Sequence, residues 1–150
     1  MKSKSQAWLE YREQCQLQRA QYIQDLTQED KIDLANEWTQ ATLKTDSESK
    51  HWTQIDSKVQ KCLSDPNTGL EIIKLIWDRV KNQRDLSFLG VLVEDYLSIH
   101  GSGVLKHIEK LALEEQQFKQ VLHFVYRNSM PGSVYEKVRR AASKDDEKNT

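Results

Sequence analysis

Glu94, Asp95 and His100, with His107 in the helix that follows, are the residues whose types could do chemistry together. Two carboxylates beside an imidazole can supply a general base or part of a metal site. Their spacing weighs against this use. On a helix, positions five or six apart lie on different sides, so Glu94 and His100 converge only with help from elsewhere. The competing reading is a scaffold role: the acids mark a wet face or cap a neighbour, and His100 complements the negative end of its own helix. A carboxylate pair near the C-terminal end of an apolar helix opposes the helix dipole. A partner within the chain, either a helix N-terminus or a basic side chain, is therefore expected to hold Glu94 or Asp95. No residue is assigned as catalytic, and Glu94, Asp95 and His100 are the candidates should there be one.

Other chemistry finds less support. Glu48-Ser49-Lys50-His51 is an E-x-x-H run, the unit that di-iron bundles use twice, but His100, His107 and His123 have Leu97, Val104 and Gln120 three positions earlier. Neither HExxH nor an EF-hand loop occurs, so no metal is expected. Gly101-Ser102-Gly103 lacks the surroundings of a phosphate-binding loop and reads as a turn between helices. Cys15 and Cys62 match no ligand spacing and each falls on an apolar side, as a small buried hydrophobe would. No cofactor is expected.

Binding is the stronger theme. Trp8, Tyr11, Cys15, Tyr22 and Leu26 form one stripe at helical spacing, interrupted by Gln18 or Arg19. The first expectation is that the stripe packs on the domain core. The alternative is a partner-facing helix, because aromatic residues with polar tips are enriched at interfaces. On that reading Trp8, Tyr11 and Tyr22 are the partner-binding residues and the partner is another protein. Lys137, Arg139, Arg140 and Lys144 give the last helix a basic side, and Arg79, Lys81 and Arg84 form a second cluster. Asp145-Asp146-Glu147 offsets the first, and both read as solvated faces rather than nucleic-acid sites.

Composition bounds these readings. The chain has 150 residues, 22 Lys+Arg against 23 Asp+Glu, and a net charge of −1. The balance also holds locally, with nine basic and ten acidic residues before residue 65 and thirteen of each from residue 65 onward. A protein that coats nucleic acid needs a positive surplus to displace counterions. No run approaches the roughly 20 apolar residues of a membrane span, and Met1 to Gln6 leads into no apolar signal segment. A cytoplasmic protein with reduced thiols is expected.

The elements that must position these residues are all helical. Only five Gly and two Pro punctuate the chain. A first helix spans about 5–25. Thr27 and Asp30 form a weakened capping box for a second, which buries Leu34, Ala35, Trp38 and Leu43. Residues 45–50 read as a polar connector or a frayed helix start, followed by Trp52, Ile55, Val59 and Cys62 at helical spacing. Asp65-Pro66 then gives an N-cap with proline at the first helical position, and Asp85 caps the next helix. Leu86 to Val93 carries no charge, which suggests a central core helix in which Gly90 admits a neighbouring backbone. His100-Gly101 stops it. Further helices follow around Leu105 to Ala112, Phe118 to Val125, and Val134 to Ala142 after the Met130-Pro131-Gly132 turn. Seven or eight short antiparallel helices result, as a bundle or a short HEAT-like array, in one domain over 1–142. The N-terminal helix 1–26 is peripheral to it on the partner-facing reading, and 143–150 is a disordered tail.

Asp65-Pro66, the run Glu94-Asp95-x-Leu97-x-x-His100-Gly101, and Phe118 spaced to Leu122, Val125 and Tyr126 together resemble a family of bacterial helical domains of unknown function. The likeness covers roughly residues 30–140. Where that pattern places Gly-Pro before the acidic pair, this chain has Gly90-Val91-Leu92-Val93. The resemblance implies a bacterial, cytoplasmic, helical domain without an assigned activity. In size and style such domains are similar to toxin-immunity proteins, and a non-catalytic, toxin-neutralising or defence-linked interaction domain is the expectation. A small enzyme using Glu94, Asp95 and His100, or a nucleic-acid-associated accessory protein, are the alternatives.

Overall fold

The computed structural model describes residues 1–43 and 49–143. Residues 144–150 of the proposed tail, Glu48, and most of the proposed connector lie outside the described residues. Among the described residues there are eight helices and no strand: α1 (Lys4–Asp25), α2 (Gln28–Leu43), α3 (Ser49–Leu63), α4 (Pro66–Val80), α5 (Ser87–His100), α6 (Ser102–Glu114), α7 (Phe118–Leu122) and α8 (Gly132–Ser143). The chain is all-α.

Local chemistry sets the helix starts. The Thr27–Asp30 box is complete: the Thr27 amide donates to Asp30 Oδ2 at 3.0 Å, and the Asp30 amide to Thr27 Oγ1 at 3.1 Å. Asp65 accepts from the Thr68 amide at 2.9 Å and its hydroxyl at 2.8 Å, with Pro66 opening α4. The first bond satisfies a backbone N–H that the helix leaves unpaired, and the second fixes the carboxylate through the Thr68 side chain. Asp85 works one residue further out than expected. It stands before Leu86 at the N-cap, and its carboxylate takes the Ser87 amide. The first helix has its own box, in which Ser3 and Gln6 exchange bonds.

Packing then gathers the helices in two groups. α2, α3 and α4 pack on one another, and α5 joins them to α6, α7 and α8. Ile72, Ile73, Ile76 and Trp77 of α4 and Leu89, Leu92, Val93, Tyr96 and Leu97 of α5 are buried, so these two helices form the centre. The uncharged run is less central than its composition suggests. Phe88 and Val91 are exposed, because α5 is covered by neighbours on only part of its circumference. Leu43, expected inside, is also exposed at the end of α2.

The largest departure concerns α1. The expectation that its stripe packs on the core holds only for its last members, Tyr22 and Leu26, and fails for Trp8 and Tyr11, since no residue of α1 is buried. A 22-residue helix is about 33 Å long, and its main contacts with the body are with α3. Only its end is anchored: Tyr22 and, just beyond, Leu26 are partly buried against the core. Periodicity marks an apolar stripe but does not say whether a surface lies opposite it.

Candidate functional site

Glu94, Asp95 and His100 sit on the last two turns of α5, and each is held by a different neighbour. Glu94 Oε1 accepts the backbone N–H of Tyr126 at 2.7 Å, in the segment after α7. Asp95 Oδ2 accepts from Gln60 Nε2 on α3 at 3.1 Å. His100 Nε2 donates to the Leu63 carbonyl at the end of α3, 2.7 Å away, so the proton must sit on that nitrogen. The three groups diverge, and the structure does not assemble them as one site. His107 is exposed on α6. An intrachain partner for the acidic pair was expected, but its type differs. Glu94 and Asp95 hold a loop amide and a glutamine, not a helix N-terminus or a basic side chain.

Two residues that the sequence did not single out complete this arrangement. The Tyr96 hydroxyl donates to the Pro66 carbonyl at 2.6 Å, and its ring meets that of His100 at 5.2 Å between centroids, nearly edge-on. Tyr96 and His100, one turn apart, thus grip the α3–α4 turn at two carbonyls. Gly69 makes room, since a Cβ there would stand 2.7 Å from Tyr96 Cε1. The run from Glu94 to His100 is therefore a set of clasps tying α5 to α3, to the start of α4 and to the segment behind α7.

Asp95 is the electrostatically strained member. Burial raises its pKa, the Gln60 bond opposes that shift, and the nearby Asp56 adds to it. A folded-state pKa above the unfolded value favours folding when Asp95 is protonated, and this contribution is lost as pH rises through the folded pKa. Asp95→Asn keeps a carbonyl for Gln60 and removes the disfavoured charge. It should melt at or above the wild-type temperature at neutral pH, and the difference should close as pH falls through the carboxylate range. A lower melting temperature at neutral pH would show that the charge itself is needed.

Of the three aromatic candidates on α1, Trp8 and Tyr11 are 61% and 60% exposed, with ring centroids 6.0 Å apart. Tyr22 is half-buried, with the Lys61 ammonium 5.2 Å from its ring centre. Burial first, then the nearby Cys62, Asp30 and Glu37, push its hydroxyl up to about 12. Tyr22 thus anchors α1, while Trp8 and Tyr11 face solvent. Cys62 is buried as expected, whereas Cys15 is only half-buried.

Two of the clefts that lie away from the α5 residues flank the helices with charged faces. One, of about 380 Å³, opens between α6 and α8, and the other, of about 360 Å³, runs between the end of α1 and α2. Among the described residues, no group of three His, Cys, Asp or Glu side chains is placed to hold a metal ion, and no helix is long and apolar enough to cross a membrane.

No curated protein and no solved structure matches the chain. Residues 39–146 match a family model, and so the chain from the second half of α2 through α8 belongs to a family of unknown function, DUF6869.

Proposed function

We propose that the chain is a non-catalytic protein-interaction domain whose docking element is α1. The observation that carries this reading is a 22-residue helix with no buried residue, which holds Trp8, Tyr11 and Leu17 at 61%, 60% and 70% exposure. An isolated helix gains little from propensity alone, and most helical stability in proteins comes from packing. Aromatic side chains with polar tips are the usual anchors when such a helix enters a partner's groove. The exposed pair precedes the residues matched to the family. The clasps on α5 give Glu94, Asp95 and His100 structural work, which favours binding over catalysis.

The specific form we favour is a toxin-neutralising or defence-linked protein in the cytoplasm of a bacterial cell, with Cys15 and Cys62 reduced. It rests on likeness of size and all-helical build to immunity proteins, which is analogy at the level of the fold.

The test places a photo-crosslinking residue at position 8 or 11 in the native host cell, with position 126 on the domain body as control. A discrete adduct is expected from 8 and 11 and not from 126, and it should disappear from a crosslinker at 18, on the same face of the helix, when Trp8 and Tyr11 are alanine. The same double variant should change folding stability by no more than about 0.5 kcal/mol, as surface positions do. Identical adducts from all positions, or none from α1, would remove α1 as the docking element. A large stability loss would instead return the stripe to the core.

A further inference from the structure

We infer that the cleft between α6 and α8 binds a small organic anion, a phosphate or carboxylate group carried on an apolar body. Glu109, Ala112 and Leu113 line it from α6, and Lys137, Arg140 and Ala141 from α8. Each set has the spacing i, i+3, i+4, so one face of each helix is turned to the cleft. Lys119, only 7% exposed, completes the lining from the start of α7. Lysine is rarely buried to this degree in a protein. With Lys119 set deeper in the lining, Lys137 and Arg140 thus face Glu109 across a space with alanine and leucine walls. Its volume of about 380 Å³ falls in the range of small-molecule sites, which pair apolar walls with a few placed polar groups. The exposed Lys137 and Arg140 at the cleft give anions charge-assisted hydrogen bonds, with Arg140 able to grip a phosphate or carboxylate with two donors.

The basic residues of α8 divide between two sides. Lys137 and Arg140 line the cleft, whereas the adjacent Arg139 is exposed and does not. A nucleic-acid backbone or a membrane surface would draw on all three from outside. A concave site fed by two of them fits a small ligand, and the chain's net charge of −1 gives no surplus for coating a polyanion.

The experiment titrates phenyl phosphate into the full chain and follows backbone amide shifts by NMR. Saturable shifts are expected within 109–113 and 137–141. Lys137→Gln and Arg140→Gln should each weaken binding by about tenfold, the effect of losing one charge-assisted bond. Both positions are exposed, so both variants should retain the wild-type melting temperature. Arg139→Gln should bind as the wild type does, and inorganic phosphate should bind more weakly than phenyl phosphate because it lacks an apolar body. Absence of saturable shifts at these residues overturns the site. So does equal weakening by Arg139→Gln, or inorganic phosphate binding as tightly as phenyl phosphate. Binding confined to a single-stranded oligonucleotide, or to vesicles containing phosphatidic acid, would assign the basic residues to a polyanion surface and overturn the small-ligand reading.

Discussion

Trp77→Ala is expected to cost about 3–5 kcal/mol of folding stability, seen as a lower denaturant midpoint at an unchanged slope. Trp77 lies on α4 at 1% exposure and meets the Phe118 ring edge-on, with centroids 5.3 Å apart. It therefore joins the α2–α4 group to the start of α7. Truncation removes the transfer energy of the indole, leaves a cavity between two groups that cannot both collapse into it, and deletes an aromatic pair. Leu92→Ala, at the same centre on α5, should cost about 2–5 kcal/mol. Trp77→Phe adds a sharper reading. The indole Nε1–H is buried without a hydrogen-bond partner among the described residues, so phenylalanine removes a desolvated donor while keeping an aromatic face for Phe118. Its cost should fall well below that of alanine. Near-wild-type midpoints for both alanine variants would mean that the core lies elsewhere. A phenylalanine variant as damaged as alanine would show that indole volume alone sets the loss.

What was legible in the sequence follows from how locally each feature is encoded. Asp65-Pro66, Thr27 with Asp30, Gly101 and Pro131-Gly132 act within a few residues of themselves, and the structure places helix ends at each. Gly101 takes φ +61°, a conformation suited to glycine. The spacing of Ile73, Ile76, Trp77 and Val80 likewise predicts one inward face for the helix behind Pro66, and all four are buried. The α1 stripe misled because it is sparse and interrupted at Gln18 or Arg19, and only its last members, Tyr22 and Leu26, find a surface to pack against. The partners of Glu94, Asp95 and His100 were illegible for a different reason. A loop amide, a carbonyl and one glutamine carry no sequence signature, since every residue but proline offers the same backbone groups. The cleft lining drew one partial signal, the basic side of the last helix. The separation of Arg139 from Lys137 and Arg140 needed α6 as its reference.

Gly90→Ala is expected to destabilise the fold by about 1–3 kcal/mol, although the same change in an exposed helix stabilises by about 1 kcal/mol. The reversal comes from what lies beside α5. A Cβ at position 90 would stand 2.5 Å from Phe124 Cβ, 3.1 Å from the Val121 carbonyl oxygen and 3.2 Å from the Phe124 carbonyl carbon. Two of these three atoms are backbone, so relief requires the end of α7 to shift rather than a side chain to swing away. That shift reaches the next clasp along the helix. Glu94, one turn after Gly90, holds the Tyr126 amide two residues beyond Phe124. Pushing this segment outward lengthens a charge-assisted bond, so Gly90→Ala and Glu94→Gln should be less than additive when combined. Gly103→Ala is the control. Position 103 lies in the first turn of α6 with nothing within 4 Å of a new Cβ, and its stability should be unchanged or up to about 1 kcal/mol higher. If Gly90→Ala melts like Gly103→Ala, the close approach of α5 to α7 is not real. If the two α5 variants add fully, Glu94 holds Tyr126 independently of the Gly90 contact, and the clasp is a separate device from the helix packing beneath it.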